Sequence, residues 1–192
     1  MARRICVYCS SSDVLEEKYR EAAQCFAKAA SLYKYTVVCG GSSKGLMGII
    51  IDTMIAEGAK VEGIVPEFMK DLEFHHPSLN NIVVVSSMSE RKDMLREETD
   101  AVIAFPGGVG TLEELIETFT LKRLGIYSGE VIIFNQEGFY DPLLSLFEHF
   151  EKKKVLNSNW RDGLKVVKSI SDLITAIESG KRTRLEPMHY AP

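Results

Sequence analysis

The stretch Ala101–Glu114, AVIAFPGGVGTLEE, joins an apolar run to a helical pattern through a loop with three glycines. Ala101–Phe105 has the composition of a buried β-strand, and the apolar residues after the glycines recur at helical spacing. Glycines at a strand-to-helix junction let the backbone approach a ligand and direct its N–H groups at an anion. Thr111 can add a hydroxyl to that site, and Glu113 and Glu114 are expected in the first turn of the helix. The stretch therefore predicts a phosphate site beside acids that could cleave a phosphorylated substrate.

Apolar, β-branched segments alternate with helical patterns along the rest of the chain. The strand-like segments are continuously apolar, which is typical of a sheet that helices cover on both faces. Short connections between strands and helices favour a doubly wound, mostly parallel sheet. We therefore expect a single α/β, Rossmann-like domain over residues 1–180 and a polar tail over residues 181–192. The predicted strands are Ile5–Tyr8, Thr36–Cys39, Val61–Val65, Ile82–Val85, Ala101–Phe105, Val131–Phe134 and Leu164–Val167, and the predicted helices are Glu16–Tyr33, Leu46–Glu57, Met88–Glu98, Leu112–Leu124, Pro142–Lys153 and Asp172–Ser179.

Net charge and hydropathy narrow the classes of partner. The 192 residues carry 23 basic and 27 acidic side chains, a net charge of −4, so no overall basic field points to a nucleic-acid partner. No apolar run is long enough to span a bilayer, and Ile5–Tyr8 is too short for the apolar region of a signal peptide. We expect a cytoplasmic protein without a nucleic-acid or membrane partner.

The cysteines and histidines predict neither a metal site nor a cofactor. Cys6 and Cys9 form a single C-x-x-C, but residues i and i+3 of a strand point to opposite faces. His75 and His76 are adjacent in an extended segment, where their side chains diverge, and no nearby histidine or cysteine completes a ligand set. The thiols are therefore expected to be reduced groups in or near the core.

Three small loops are expected at the carboxyl ends of the strands, where open α/β sheets bind ligands. They are Ser10–Ser12, Gly40–Gly45 and the glycine loop of Pro106–Glu114. Together they describe a phosphate or nucleotide pocket, although Gly40–Gly45 by itself is equally well a tight turn without a ligand. Gly40–Gly45 lacks the ending of a P-loop, and the glycines after Pro106 lack the third glycine of a dinucleotide loop, so NAD(P) is disfavoured.

Two cations in residues 87–92, SMSERK, are a second indication of an anionic ligand. One of the serines is a candidate N-cap, which places Arg91 and Lys92 in a first turn, where the helix dipole disfavours positive charge. An anionic partner would offset that cost. The competing interpretation is a solvated helix face, because Glu90 and Asp93 flank the two cations.

These motifs resemble those of the LOG family, the cytokinin riboside 5′-monophosphate phosphoribohydrolases, whose members are often labelled lysine decarboxylase-like. The family motif P-G-G-x-G-T-x-x-E is present in full as Pro106–Glu114. The motif M-H-x-R-K is present as Met88–Lys92, with Ser89 in place of histidine. The similarity extends from Val7 to about Asp141, and two motifs in the right order and spacing make it specific.

The resemblance implies an enzyme that hydrolyses the N-glycosidic bond of a purine nucleoside 5′-monophosphate, such as AMP or a prenylated AMP, to free base and ribose 5-phosphate. It also implies a homodimer and no cofactor. By position, Arg91 and Glu114 match the catalytic pair of the family. The substrate-binding residues that it implies are Glu73, Lys92, Gly107, Gly108, Val109, Gly110, Thr111, Glu113 and Thr120. Departures from the family pattern at Ser89, Phe119, Leu121 and Arg123 leave the preferred base and its N6 substituent open.

Two other functions are compatible with such a fold. A nucleotide or molybdenum-cofactor carrier would need the glycine loop but not the acid Glu114. A true decarboxylase would need a Schiff-base lysine for pyridoxal phosphate, and no such arrangement is identifiable in the sequence. For the homodimer, the candidate contact is an apolar face that core packing also explains, Phe119, Leu121, Leu124 and Ile126.

Overall fold

The computed structural model describes residues 2–71 and 75–186 of the chain. The strands are β1 (Arg4–Tyr8), β2 (Thr36–Cys39), β3 (Val61–Pro66), β4 (Ile82–Val85), β5 (Ala101–Ala104), β6 (Glu130–Phe134) and β7 (Lys165–Val167). The helices are α1 (Glu17–Leu32), α2 (Gly45–Ala56), α3 (Glu67–Asp71), α4 (Met88–Arg96), α5 (Val109–Arg123), α6 (Asp141–Lys152) and α7 (Ile170–Ser179), with short 3-10 helices at Gln136–Gly138 and Ser158–Gly163. Within the described residues the strands form one parallel sheet in the order β4-β3-β2-β1-β5-β6-β7.

The predicted doubly wound α/β fold is confirmed. Each predicted strand is present, and its ends agree with the structure to within one residue. The helix α3 and the two 3-10 helices were not predicted, because segments of three to six residues are too short to show a periodic apolar pattern.

Helices cover both faces of the sheet, and β1 shows how its residues divide between the two cores. Ile5 and Val7 pack with α1, α2 and α7, whereas Cys6 and Tyr8 pack with α4, α5 and α6. This alternation follows from the two-residue period of a strand. Because both sets of side chains are buried, the strand is apolar throughout rather than alternately polar.

The described part of the chain contains no disulfide and no cluster of side chains that suits a metal ion. Cys6 and Cys9 lie in opposite cores, as expected, and the four cysteines, which are all described, form no disulfide. No group of three or more histidine, cysteine or carboxylate side chains among the described residues could hold a metal ion. None of the described helices combines the length and the apolarity that crossing a membrane requires.

The described part of the tail lies against the body of the same chain. The Thr183 N–H donates to the Ser128 carbonyl at 2.8 Å. The buried ammonium of Lys122 donates to the carbonyls of Ser128 and Thr183, at 3.1 and 2.9 Å, and burial lowers its pKa. Thr183 thus attaches the described part of the tail to the segment after α5, whereas residues 187–192 lie outside the described part.

The order of the strands creates a crevice beside β1. The chain passes from β1 outwards through β2, β3 and β4, and then returns to β5 on the other side of β1. At such a switch point the loops after neighbouring strands separate and leave room for a ligand. Ser10, just after β1, ties these loops together: its N–H donates to the Pro106 carbonyl at 3.2 Å, and its carbonyl accepts from the Leu46 N–H at 3.0 Å.

Candidate functional site

A cavity of about 440 Å³ lies at the carboxyl edge of the sheet, where the loops after β1, β2 and β5 meet. Its volume is within the range of about 300–1,000 Å³ that is typical of small-molecule sites. Four residues predicted from the sequence line it, namely Arg91, Gly110, Thr111 and Glu114. The structure therefore brings the two motifs, which come from different helices, to one site.

The glycine loop borders the cavity with the amino end of α5. Gly108 is the N-cap, and the Leu112 N–H is the donor to its carbonyl, at 3.0 Å. The N–H groups of Val109, Gly110 and Thr111 precede the first helical hydrogen bond, so they are available to an anion. Val109 offers only its backbone there, because its side chain is exposed to solvent.

The prediction that Glu113 and Glu114 lie in the first turn of this helix is wrong. The helix begins at Val109 instead of Leu112, so the two acids lie in its second turn. The first turn begins with Val109, Gly110 and Thr111, whose N–H groups have no acceptor within the helix. The acids are consequently one turn deeper than the anion site rather than in it.

Arg91 and Glu114 form the centre of the site. Arg91 is buried, and its Nε donates to the carbonyl of Ile64 within β3, at 3.1 Å. Gly40 leaves space for it, because a Cβ at that position would overlap the guanidinium. Arg91 Nη1 lies 3.6 Å from Glu114 Oε1, which is an ion pair without hydrogen-bond contact.

The carboxyl of Glu114 is set to titrate near neutral pH. Its side chain is only 14% exposed, and burial raises its pKa to about 7, against the opposing effect of the Arg91 charge. Below the carboxyl, the Thr118 hydroxyl donates to the Glu114 backbone carbonyl at 2.8 Å and lies 3.1 Å from the Tyr8 hydroxyl. Strongly shifted carboxyls in a cavity are typical of catalytic acids and bases.

Cys9 also lines the cavity, but its thiol is a poor nucleophile. Burial raises its pKa well above the ordinary value, so the thiol stays protonated. Glu114 is therefore the better candidate for chemistry at this site.

Other predicted residues lie away from the cavity. Lys92 contacts Glu113 and, at 2.9 Å, Glu117, so that it joins α4 to the outer side of α5. The Thr120 hydroxyl donates to the Ile116 carbonyl of its own helix. Gly107 and Gly108 form the loop before α5, and Glu73 lies outside the described residues.

The sequence motifs missed several residues that line the cavity. Lys44 and Ser42 come from the loop after β2 and Ser11 from the loop after β1, two loops that were predicted to reach this edge of the sheet. His75, for which the sequence predicts no metal site, also lines the cavity. The apolar part of the lining comes from Met47, Val65, Met69 and Met88.

A larger groove of about 570 Å³ lies beside α4 and the segment after α5. Leu121 and Ile126, from the candidate dimer face, line it, but the glycine loop and Glu114 do not. Phe119 does not belong to that surface, because it is buried against Phe147 with their ring centres 5.7 Å apart. The chemistry therefore favours the smaller cavity as the active site.

Solved structures with very low sequence identity share this fold. The molybdenum cofactor binding protein of Rippkaea orientalis is 19% identical, with a TM-score of 0.70 over 93% of this chain and 97% of that protein. The Moco carrier protein of Chlamydomonas reinhardtii is 16% identical, with a TM-score of 0.69 over 93% and 96% of the two chains.

Comparison of the sequence with known proteins gives the family. A family model described as "Possible lysine decarboxylase" matches residues 47–177. A cytokinin riboside 5′-monophosphate phosphoribohydrolase of Rhodococcoides fascians is 34% identical over 92% of this chain and 90% of its own length. Another from Arabidopsis thaliana is 40% identical over 76% of this chain and 68% of its own length. The two motifs, the matching family model and these relatives together show that the chain belongs to the LOG family.

Proposed function

We propose that the protein hydrolyses the N-glycosidic bond of a purine nucleoside 5′-monophosphate and releases the free base and ribose 5-phosphate. The observation that carries this proposal is Glu114, a mostly buried carboxyl with a pKa of about 7, in one cavity with Arg91 and the amino end of α5. A site that only carried a nucleotide would need the anion-binding amides but not the acid. The names of the relatives from Rhodococcoides fascians and Arabidopsis thaliana support the same reaction.

The 5′-phosphate is bound at the amino end of α5. The N–H groups of Val109, Gly110 and Thr111 and the positive end of the helix dipole favour an anion there. Lys44 and Arg91 add positive charge to the same cavity. Binding energy from the phosphate, which does not react, helps to hold the glycosidic bond in position for cleavage.

The bond between C1′ of the ribose and the base breaks with its electron pair passing to the base. Positive charge then develops on the ribose, and the Glu114 carboxylate stabilises it. The same carboxylate accepts a proton from water as the hydroxyl adds to C1′, and this proton finally passes to the base. Arg91 stabilises the ionised form of Glu114 and offsets negative charge on the base or the phosphate.

The remaining residues implied by the family motif have different proposed roles. Gly107 and Gly108 shape the loop that presents the amides, and direct nucleotide contact through the backbone N–H groups is proposed for Val109, Gly110 and Thr111. The ion pair between Lys92 and Glu113 supports the loop from outside the cavity. Contacts of Glu73 and Thr120 with the nucleotide remain predictions.

We also propose a homodimer in the cytoplasm. Exposed Ile126 and partly buried Leu121, which line the larger groove, form the candidate contact. Sedimentation of the full chain tests the dimer, and a monomer at micromolar concentration would contradict it.

One assay separates the reaction from its alternatives. The protein is incubated with AMP, a prenylated AMP and lysine, and free base, ribose 5-phosphate and cadaverine are measured. Equal amounts of base and ribose 5-phosphate are expected from at least one nucleotide. Binding of AMP without release of base would identify a carrier instead, and cadaverine would identify a decarboxylase.

A further inference from the structure

The hydrogen bonds between the loops after β1 and β5 shift by one residue where β5 passes into the glycine loop. The Phe105 N–H donates to the Tyr8 carbonyl at 2.9 Å, as in a regular parallel ladder. Such a ladder would continue with the Ser10 N–H as the donor to the Phe105 carbonyl. Instead, the Ser10 N–H donates to the Pro106 carbonyl, at 3.2 Å. Because Phe105 is fully buried, its carbonyl needs another donor.

The hydroxyl of Tyr140 is that donor. It donates to the Phe105 carbonyl at 2.7 Å, and the contact is buried. Burial raises the pKa of the Tyr140 hydroxyl above its ordinary value, so the group stays protonated and remains a donor throughout the physiological range. A side chain that comes just before α6 thus replaces a bond of the sheet at the point where the chain turns towards the ligand site.

Hydrogen bonds at the end of β6 hold Tyr140 in position. Its N–H donates to Asn135 Oδ1 at 2.7 Å, and Asn135 Nδ2 donates to the Asp141 carboxylate at 2.8 Å. The Asn135 N–H donates in turn to the Val167 carbonyl on β7, at 2.7 Å. Asn135 and Tyr140 are both buried. The tyrosine is therefore attached to the sheet independently of any ligand.

The segment that follows Phe105 is packed closely against the anion site. A Cβ on Gly107 would overlap the Thr111 side chain, so the loop cannot shift towards α5 without displacing the first turn of that helix. A change in the position of the Phe105 carbonyl is thus passed on to the N–H groups at the amino end of α5. Tyr140 is not among the described residues that line the cavity, so it acts on a ligand only through this loop.

We propose that Tyr140 is a positioning residue for the phosphate site. Its hydroxyl, through the Phe105 carbonyl, sets the direction in which the N–H groups at the amino end of α5 meet the 5′-phosphate. This assignment rests on the proposed nucleotide substrate. Loss of the hydroxyl should therefore weaken the binding of ligands that carry the phosphate and spare those that lack it.

The test compares ribose 5-phosphate with adenosine, which has no phosphate. Both dissociation constants are measured by calorimetry for E114Q, which keeps the glycosidic bond intact, and for E114Q combined with Y140F. The phenylalanine keeps the ring and its packing but removes the donor. Y140F should weaken ribose 5-phosphate binding roughly fivefold and change adenosine binding by less than about twofold.

Y35F is the matched control, because it also removes one hydroxyl from a buried tyrosine ring. The Tyr35 hydroxyl donates to the Glu178 carboxylate at 2.7 Å, and Tyr35 lies just before β2, at the opposite edge of the sheet. Y35F combined with E114Q should leave both dissociation constants unchanged. The melting temperature of each variant shows that it is folded.

Unchanged ribose 5-phosphate binding in Y140F would overturn the proposal, as would the absence of ribose 5-phosphate binding in the E114Q protein itself. Equal weakening of the two ligands, or an equal effect of Y35F, would assign Tyr140 to general stability instead. Failure of the wild-type protein to release base from AMP would count against the hydrolysis but not against Tyr140, because the two affinities alone decide the latter.

Discussion

Two of the ion pairs that join α4 to α5 differ, although their residues are neighbours in both motifs. Arg91 and Glu114 lie in the cavity, with side chains 11% and 14% exposed and 3.6 Å between their charged atoms. Lys92 and Glu113 lie on the outer side in close contact, with Glu113 51% exposed. A step of about 100° along a helix places consecutive residues on different faces, so one motif supplies both an inner and an outer pair.

The comparison shows how burial changes the pKa of a charged group within an ion pair. In the inner pair, desolvation outweighs the attraction of Arg91, and the pKa of Glu114 rises to about 7. In the outer pair, the hydrogen bonds that the Lys92 ammonium donates to Glu113 and Glu117 raise the pKa of Lys92, so its charge is fixed throughout the physiological range. The inner pair can exchange a proton during a reaction, whereas the outer pair holds the two helices together.

Isosteric substitution of Glu114 and of Glu113 should give the largest difference in activity between the inner and the outer pair. E114Q removes the carboxylate and should lower kcat for base release from AMP about 1,000-fold, within the range that positioned acids and bases contribute. E113Q, the matched control, should lower kcat less than about threefold. Similar losses of kcat in both variants would show that catalysis does not depend specifically on the inner pair.

Removal of the inner cation should have the next largest effect. R91Q should lower kcat/KM about 100-fold, because a buried charge-stabilising donor is lost. It should also move the pH dependence to higher pH, because Arg91 lowers the pKa of Glu114. A pH–rate profile of R91Q beside R161Q, a surface control, checks this, and an unmoved profile would mean that Arg91 does not act on the acid.

The pH dependence of the unmodified protein tests the state of Glu114 itself. The proposed mechanism needs the carboxylate, and the pKa of about 7 means that this form is lost as the pH falls. The value of kcat/KM should therefore drop about tenfold per pH unit below that pKa and be level above it. A profile that falls with rising pH would instead assign Glu114 the role of a proton donor.

The outer pair should matter for stability more than for catalysis. K92M keeps most of the side-chain stem but removes the ammonium, and it should lower the free energy of unfolding by about 1 kcal/mol, or a few degrees in Tm. K28M, at an exposed position on α1, controls for the loss of one charge. A large loss of activity with an unchanged Tm would show that Lys92 contacts the nucleotide directly.

The sheet could be predicted from the sequence because buried parallel strands carry an unmistakable apolar signal. The start of α5 could not, since glycine is a poor helix former and hides the first turn, so the apolar period begins only at Leu112. The motifs identified Arg91 and Glu114, but they did not show that the neighbouring residues Lys92 and Glu113 lie outside the cavity. Assigning Lys92 to the outer side needs the packing of α4 against α5, which the sequence does not contain.

His75 shows a second limit of sequence patterns. A pair of histidines in a loop has no periodicity, and only the structure shows that His75 lines the cavity while the ring of His76 contacts Asp52. The position of Lys44 in the cavity is likewise not predictable from a sequence pattern, because it depends on the path of the loop after β2. Contacts that are set by loop paths need the structure.

The bare N-cap at Gly108 has a consequence for how the protein responds to its ligand. A serine there would enter open space and cap α5, with a gain of roughly a few tenths of a kcal/mol in stability, but its hydroxyl would compete for the amides that receive the anion. The glycine thus makes the amino end of α5 less stable but leaves its N–H groups available to an anionic ligand. Ligand binding then completes the cap, so the melting temperature of the protein should serve as a direct readout of how much of the site is occupied.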